Sequence, residues 1–329
     1  MDGIVAEGIG RSFGGVHAVR EATFRAEPGR VTGLVGPNGA GKTTLLLMLA
    51  SLLAPDRGRI RVGGVDPIVD PTAARQVLGW MPDALGAWPS LTVHESIVTT
   101  ARLHGLPRAD AQRRAAELLG LVGLDPLAAT PAKVLSRGQK QKLGLARALV
   151  HDPQVLLLDE PASGLDPEAR VQLRVLLRRL AAEGRTVLIS SHVLSELEEV
   201  VDDTVFLVAG TVVDAPVVQA RAWRIRILSD RIPDSPEGGS AATEGGSATT
   251  ACPDPRASVA AALGVVPESL GIDRGDVLAV FADDRDAAAG LARLVGQGLA
   301  VSAFAPAQSE LEQAFLSLGE PPHDGGSAR

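Results

Sequence analysis

Nine consecutive residues could cradle a polyphosphate. Gly36, Pro37, Asn38, Gly39, Ala40, Gly41, Lys42, Thr43 and Thr44 join an apolar run, Val31 to Val35, to helix formers from Leu45 to Leu53. Three glycines let the backbone curl so that N–H groups point inward, and a helix start adds partial positive charge. Lys42 can reach the outer phosphates of a nucleoside triphosphate, and the Thr43 hydroxyl can take a place on Mg²⁺. Lys42 is one of four lysines against 28 arginines. At this place a compact point charge is preferred to a planar fork.

A second group sits at Val155-Leu-Leu-Leu-Asp159, followed by Glu160. Apolar residues without alternation suit a strand buried on both faces of a parallel sheet. Two carboxylates at its end can divide labour: Asp159 on the metal, Glu160 polarising the attacking water. Leu135-Ser-Arg-Gly-Gln139 precedes a helical stretch, Lys140 to Val150. Ser136 can cap that helix or donate to a phosphate, and Gly138 permits close backbone approach. Asp166-Pro167-Glu168 reads as an N-cap, a proline at the first helical position and an acid in the first turn.

These motifs, in this order and spacing, resemble the nucleotide-binding subunit of an ABC transporter over the span from Gly3 to about Val213. The stretch SELEQAFLSL, Ser309 to Leu318, resembles the end of a C-terminal accessory domain of drug- or multidrug-exporter-type members and points to that subclass. The resemblance implies that Ser136, Arg137, Gly138 and Gln139 contact the γ-phosphate of ATP held by a second subunit. Arg137 stands where glycine is more usual and adds a cation there. His192, in Ser190-Ser-His192, matches a switch histidine at the γ-phosphate and the attacking water. Asp166 matches a loop residue connecting the two sites across a dimer, beside its capping role. Phe13 matches an aromatic that stacks on adenine; its other reading is a half-buried core phenylalanine. Asp83, at the end of Leu78-Gly-Trp-Met-Pro-Asp83, stands where the family carries Gln on Mg²⁺ near the permease. It either reaches the metal shell or simply ends a strand and faces solvent.

The fold expected is α/β: a P-loop NTPase with a mostly parallel sheet. An N-terminal antiparallel β subdomain (around Ile4 to Ile9, Ala18 to Arg25 and Arg59 to Val62) lies beside it. A helical subdomain over about 84–150 carries the signature, with Leu91 to Gly120 helical. Residues 1–215 form the ATP-binding domain. Residues 216–329 form a small α+β accessory domain, with a flexible linker at about 233–255 and a disordered tail at about 319–329. Pro233 to Pro255 holds no Ile, Leu, Val, Met, Phe or Trp and contains the near-repeat EGGSAAT, EGGSATT, too little apolar surface to order itself. Order resumes with helices at Arg256 to Leu263, Arg285 to Gly296 and Ser309 to Leu318. Strands are expected at Trp223 to Leu228, Asp276 to Phe281 and Leu299 to Phe304.

The chain has 329 residues and a net charge of −7, which gives no reason to expect a nucleic-acid partner. Arg174, Arg178, Arg179 and Arg185 read as a solvated helix face. One cysteine fits a reducing compartment. The chain holds no run of about 20 uncharged apolar residues, the length that spans a bilayer, so membrane contact would come only through a separate permease. The resemblance implies ATP and Mg²⁺ as ligands, a homodimer or heterodimer of ATP-binding subunits, and a cytoplasmic protein peripheral on the inner face of the membrane. The implied activity is ATP hydrolysis driving export by a separate transmembrane permease. The other reading is a non-transport or regulatory ATPase of the same type acting on a membrane-protein or ribosomal partner.

Overall fold

The computed structural model describes residues 3–83, 86, 88, 90–191, 193–214, 221–228, 255–308 and 310–319. They fall into two compact units that divide after residue 215.

The first unit contains β1 (Ile4–Phe13), β2 (Val16–Ala26), β3 (Val31–Val35), α1 (Lys42–Leu49), β4 (Arg57–Val62), α2 (Pro71–Val77), β5 (Leu78–Met81), α3 (Val93–Leu103), α4 (Arg108–Val122), α5 (Arg137–Ala148), β6 (Val155–Asp159), α6 (Pro167–Ala182), β7 (Thr186–Ser190), α7 (Leu194–Glu198), β8 (Asp203–Val208) and β9 (Thr211–Val213). Its nine strands lie in the order β4-β1-β2-β9-β8-β3-β7-β6-β5. Every residue of β3, β6 and β7 is buried, which is why these strands read as unbroken apolar runs. They pair in parallel, with Leu34 opposite Ser190 and Asp159 opposite Ser190. The carboxyl ends of three neighbouring strands therefore converge, the usual place for a ligand in an open α/β sheet.

The antiparallel strands β4, β1 and β2 do not stand apart from this sheet. They continue it through the parallel bridge Glu21–Thr211 between β2 and β9. Helices α3, α4 and α5 pack on one another and span the region expected to be helical. Pro107 interrupts it as the N-cap of α4. Helix α1 starts three residues earlier than the leucine run, because left-handed Gly41 (φ 102°) serves as its N-cap. It ends before Leu53, where Ser51 turns left-handed (φ 61°).

The arginine face of α6 is not merely solvated. Arg170, Arg174 and Arg178, one turn apart, pair with Glu196, Glu199 and Asp202. Arg179 pairs with Glu183, and Arg185 with Asp152 and Glu183. Sequence periodicity marked the face but could not show which acids the chain returns to it.

The second unit holds β10 (Arg221–Ile227), α8 (Pro255–Leu263), β11 (Gly271–Asp273), β12 (Asp276–Phe281), α9 (Asp284–Gly296), β13 (Val301–Pro306) and α10 (Glu310–Gly319). The strands form an antiparallel sheet in the order β11-β12-β10-β13. Val259 and Leu263 of α8 and Ala287 and Leu294 of α9 share its core with Ile225, Val277 and Phe281. Gly290 admits Phe281, whose Cε1 would lie 2.4 Å from any Cβ there. Of the linker at 233–255 only Pro255 is described. Ser309, the expected cap, lies outside the described residues, as does the tail beyond Gly319.

Candidate active site

The loop after β3 owes its shape to two different glycine requirements. A Cβ on Gly36 would sit 2.2 Å from Leu207 O, and one on Gly41 would sit 2.2 Å from Ala18 O. These two glycines allow backbone to approach backbone. Gly39 needs only its left-handed φ of 82°, with nothing within 4 Å. Ala40 is 3% exposed, its N–H donating to Pro37 O at 3.1 Å. Pro37, Asn38 and Gly39 form the exposed rim, Thr43 is exposed and Thr44 half-buried.

Lys42 is 8% exposed. Its Nζ donates to Gly36 O at 2.6 Å and Pro37 O at 3.2 Å. Burial lowers its pKa from the ordinary lysine value, while the Glu160 and Asp159 carboxylates oppose that shift. The cation and the two acids therefore share one field.

Asp159 is 3% exposed and accepts on both oxygens. Thr43 Oγ1 donates to Oδ2 at 3.2 Å, and Ser190 Oγ donates to Oδ1 at 2.6 Å. The Glu160 N–H donates to Ser190 Oγ at 3.1 Å and to Ser190 O at 3.2 Å. Glu160 has a left-handed φ of 51°. Gln141, 2% exposed on α5, reaches the Glu160 carbonyl through Nε2 at 3.4 Å. Ser190 and Gln141 were not picked out from the sequence. A hydroxyl ending the buried run Thr186–Ser190, as a carboxylate ends Val155–Asp159, was the signal for the first. Thr43 and Asp159 together offer hard oxygen donors that fit Mg²⁺, an ion held by few protein ligands beside substrate phosphates.

At the start of α5, Ser136 and Gln139 form a reciprocal capping box. Ser136 Oγ accepts from Gln139 N at 3.2 Å, and Gln139 Oε1 accepts from Ser136 N at 2.9 Å. Arg137 is exposed and donates to Ser163 Oγ at 2.6 Å. Gly138 lies close on the next loop, its virtual Cβ 2.8 Å from Gly164 O. Asp166 caps α6, accepting from Ala169 N at 2.8 Å.

Phe13 ends β1 with 47% exposure, and Arg11 lies over its ring at 4.9 Å. Its exposure stands against the core alternative: Phe13 is the last residue of β1, beyond the pairing with β4 that stops at Gly10, and its ring lies outside the apolar interior. Asp83 follows the end of β5 with its side chain 49% exposed, and its Oδ1 lies 3.8 Å from Arg137 Nη2, within ion-pair range but beyond a hydrogen bond. His192 lies outside the described residues.

A family model described as ABC transporter matches residues 19–163, within the first unit. The Linearmycin resistance ATP-binding protein LnrL of Bacillus subtilis is 36% identical over 197 residues, covering 60% of this chain and 63% of LnrL. The chain thus matches less than two thirds of LnrL. The ABC transporter ATP-binding protein NatA of Bacillus subtilis is 36% identical over 199 residues, covering 60% of this chain and 81% of NatA. A solved structure of an ATP-binding subunit of an ABC transporter superposes with a TM-score of 0.60 at 29% identity, over 64% of this chain and 87% of that one.

Proposed function

The chain belongs to the ABC transporter family, and we propose that it is an ATP-hydrolysing subunit that drives export through a separate membrane permease. The observation that carries this is the convergence of β3, β6 and β7, which gathers Lys42, Thr43, Asp159, Glu160 and Ser190 around one loop. In this reading, backbone N–H groups of residues 36–44 and the Lys42 ammonium bind the β- and γ-phosphates. Thr43 and Asp159 hold Mg²⁺, which when bound neutralises phosphate charge. Glu160 orients the attacking water and accepts its proton, with His192 assisting at the γ-phosphate. Phe13 stacks on the base.

Ser136, Arg137, Gly138, Gln139 and Asp166 serve the ATP of a second ATP-binding subunit, so that two nucleotides are enclosed in a dimer. Asp83 is a candidate for the metal shell through water, in competition with its pairing to Arg137. The permease is where membrane contact occurs, on the cytoplasmic face. Among the described residues no helix is long and apolar enough to cross a membrane. The name of LnrL refers to linearmycin resistance, which supports an export role over ribosomal or regulatory work.

The decisive experiment compares the chain with Glu160→Gln. Wild type should hydrolyse ATP in the presence of Mg²⁺. The variant should bind ATP, lose steady turnover by at least ~100-fold, and run as a dimer on size exclusion only with ATP. A variant hydrolysing near the wild-type rate would remove Glu160 from this role. Purification from membranes with a co-purifying polypeptide carrying several apolar spans tests the export arm.

A further inference from the structure

The loop 163–166 is held by two arginines, and each is backed by a carboxylate from another element. Arg137, at the start of α5, donates through Nη2 to Ser163 Oγ at 2.6 Å and lies 3.8 Å from Asp83 Oδ1, just past β5. Its stem covers Gly164: a Cβ there would come within 2.8 Å of Arg137 Cγ and Cδ. Arg170, in the first turn of α6, donates through Nε to Leu165 O at 3.1 Å. Its Nη1 pairs with Glu196 of α7 at 2.6 Å. The loop is also tied to the acid end of β6, since Ser163 N–H donates to Glu160 O at 3.1 Å. A displacement at residue 163 is thus felt at the Glu160 peptide.

Neither arginine is needed to start α6, which Asp166 and Pro167 already do. A guanidinium suits the task because its planar fork can serve two acceptors at once, which an ammonium does with less geometric control. Glu196 lies within hydrogen-bond distance of the Arg170 fork and can fix its plane, whereas Asp83, at 3.8 Å, acts on Arg137 through charge. Exposed ion pairs of this kind add little to stability, at most about 1 kcal/mol, so what they set here is orientation.

We propose that Arg137 and Arg170 are positioning residues that set the loop 163–166, and that Asp83 and Glu196 act through them on the Glu160 peptide. This rests on the hydrolytic reading above for its effect on rate, but not for its effect on the loop. Movement of the strand end at Asp83, or of α7, would reach the loop as a change in where a guanidinium points.

The test uses the full chain with Asp83→Asn, Glu196→Gln, Arg170→Lys and the charge exchange Arg170→Glu with Glu196→Arg. Hydrogen exchange of amides 163–165 is measured without nucleotide, beside melting temperature and ATPase kcat and KM. Asp83→Asn and Glu196→Gln should each raise amide exchange about three-fold, as expected for an interaction worth under ~1 kcal/mol. Melting temperature should move by less than ~3 °C. For Glu196→Gln, kcat should fall about three-fold with KM little changed, and the charge exchange should recover none of the loss, because a carboxylate at 170 cannot donate to Leu165 O. Unchanged amide exchange in both neutralised variants would overturn the proposal. So would a charge exchange that restores wild-type amide exchange and kcat, since the ion pair would then suffice without the guanidinium on Leu165 O. If wild type fails to hydrolyse ATP while the exchange results hold, the hydrolytic reading falls and the loop clamp stands.

Discussion

The two stretches of this chain that meet nucleotide in the proposed reading are built in opposite ways. Around residues 36–44 and the end of β6, the charged and hydroxyl groups that anchor the loop are buried and bonded inward beneath an exposed rim. Lys42, Asp159 and Ser190 are 8%, 3% and 0% exposed. Around the start of α5, Ser136 and Arg137 are exposed, as is Asp166, and their bonds are to local backbone or neighbouring side chains. The first stretch inherits its geometry from three parallel strands. The second inherits it from a helix cap and a pair of loops. A sheet-anchored site is shaped before any ligand arrives. A surface one can be enclosed only by another surface.

Lys42→Ala should produce the largest contrast. Losing a charge-assisted contact of about 1.5–3 kcal/mol implies ATP affinity weaker by roughly 10- to 100-fold, measurable by equilibrium binding to the isolated chain. Ser136→Ala should leave that affinity within about two-fold while lowering turnover, since its proposed ligand belongs to another copy. Equal losses of affinity in both would erase the distinction between the stretches.

Within the buried stretch, Gly41→Ala should cost at least ~2 kcal/mol, as strain and backbone contact coincide. Gly39→Ala should cost only ~1 kcal/mol, since φ alone is penalised. Chemical denaturation of the two variants reads this directly. Ser136→Ala should itself cost ~1 kcal/mol through the lost cap.

The smallest effect concerns acid. His151 stacks on His104 with ring centroids 3.8 Å apart, and its Nε2 faces Leu78 O at 3.0 Å. Burial and the His104 charge depress its pKa to about 4, opposed by the Leu78 carbonyl and Asp152, while Arg114 adds to the depression. The unfolded chain takes up a proton near the ordinary histidine value, before the folded chain does. Stability should therefore be full above about pH 6.5 and decline towards pH 4. His151→Phe should flatten that part of the profile in a pH series of melts.

Much of the buried stretch was legible because its signals are local. Glycines between an apolar run and helix formers, an apolar run ending in two acids, and Asp-Pro-Glu opening a helix each describe a few consecutive residues. What stayed hidden depends on where distant segments return. Ser190 donates to Asp159 across 31 positions, and Arg170 meets Glu196 across 26. A helix face rich in arginine announces charge but not its partners. The bridge of β2 to β9 rests on a three-residue strand, too short for a periodicity to register. The approach of Asp83 to Arg137 stayed hidden because the two residues lie on separate elements.

Glu160 carries a lesson about selection. Its backbone is left-handed, at φ 51°, a conformation that glycine adopts freely and that costs a side-chain-bearing residue roughly 1–2 kcal/mol. Folding alone would favour a glycine at this position. In a screen for heat resistance without a demand for activity, Glu160→Gly should rise to the top, melting higher and doing nothing. Glu160 thus keeps a carboxylate beside the phosphate loop at a cost in durability that such a screen would expose.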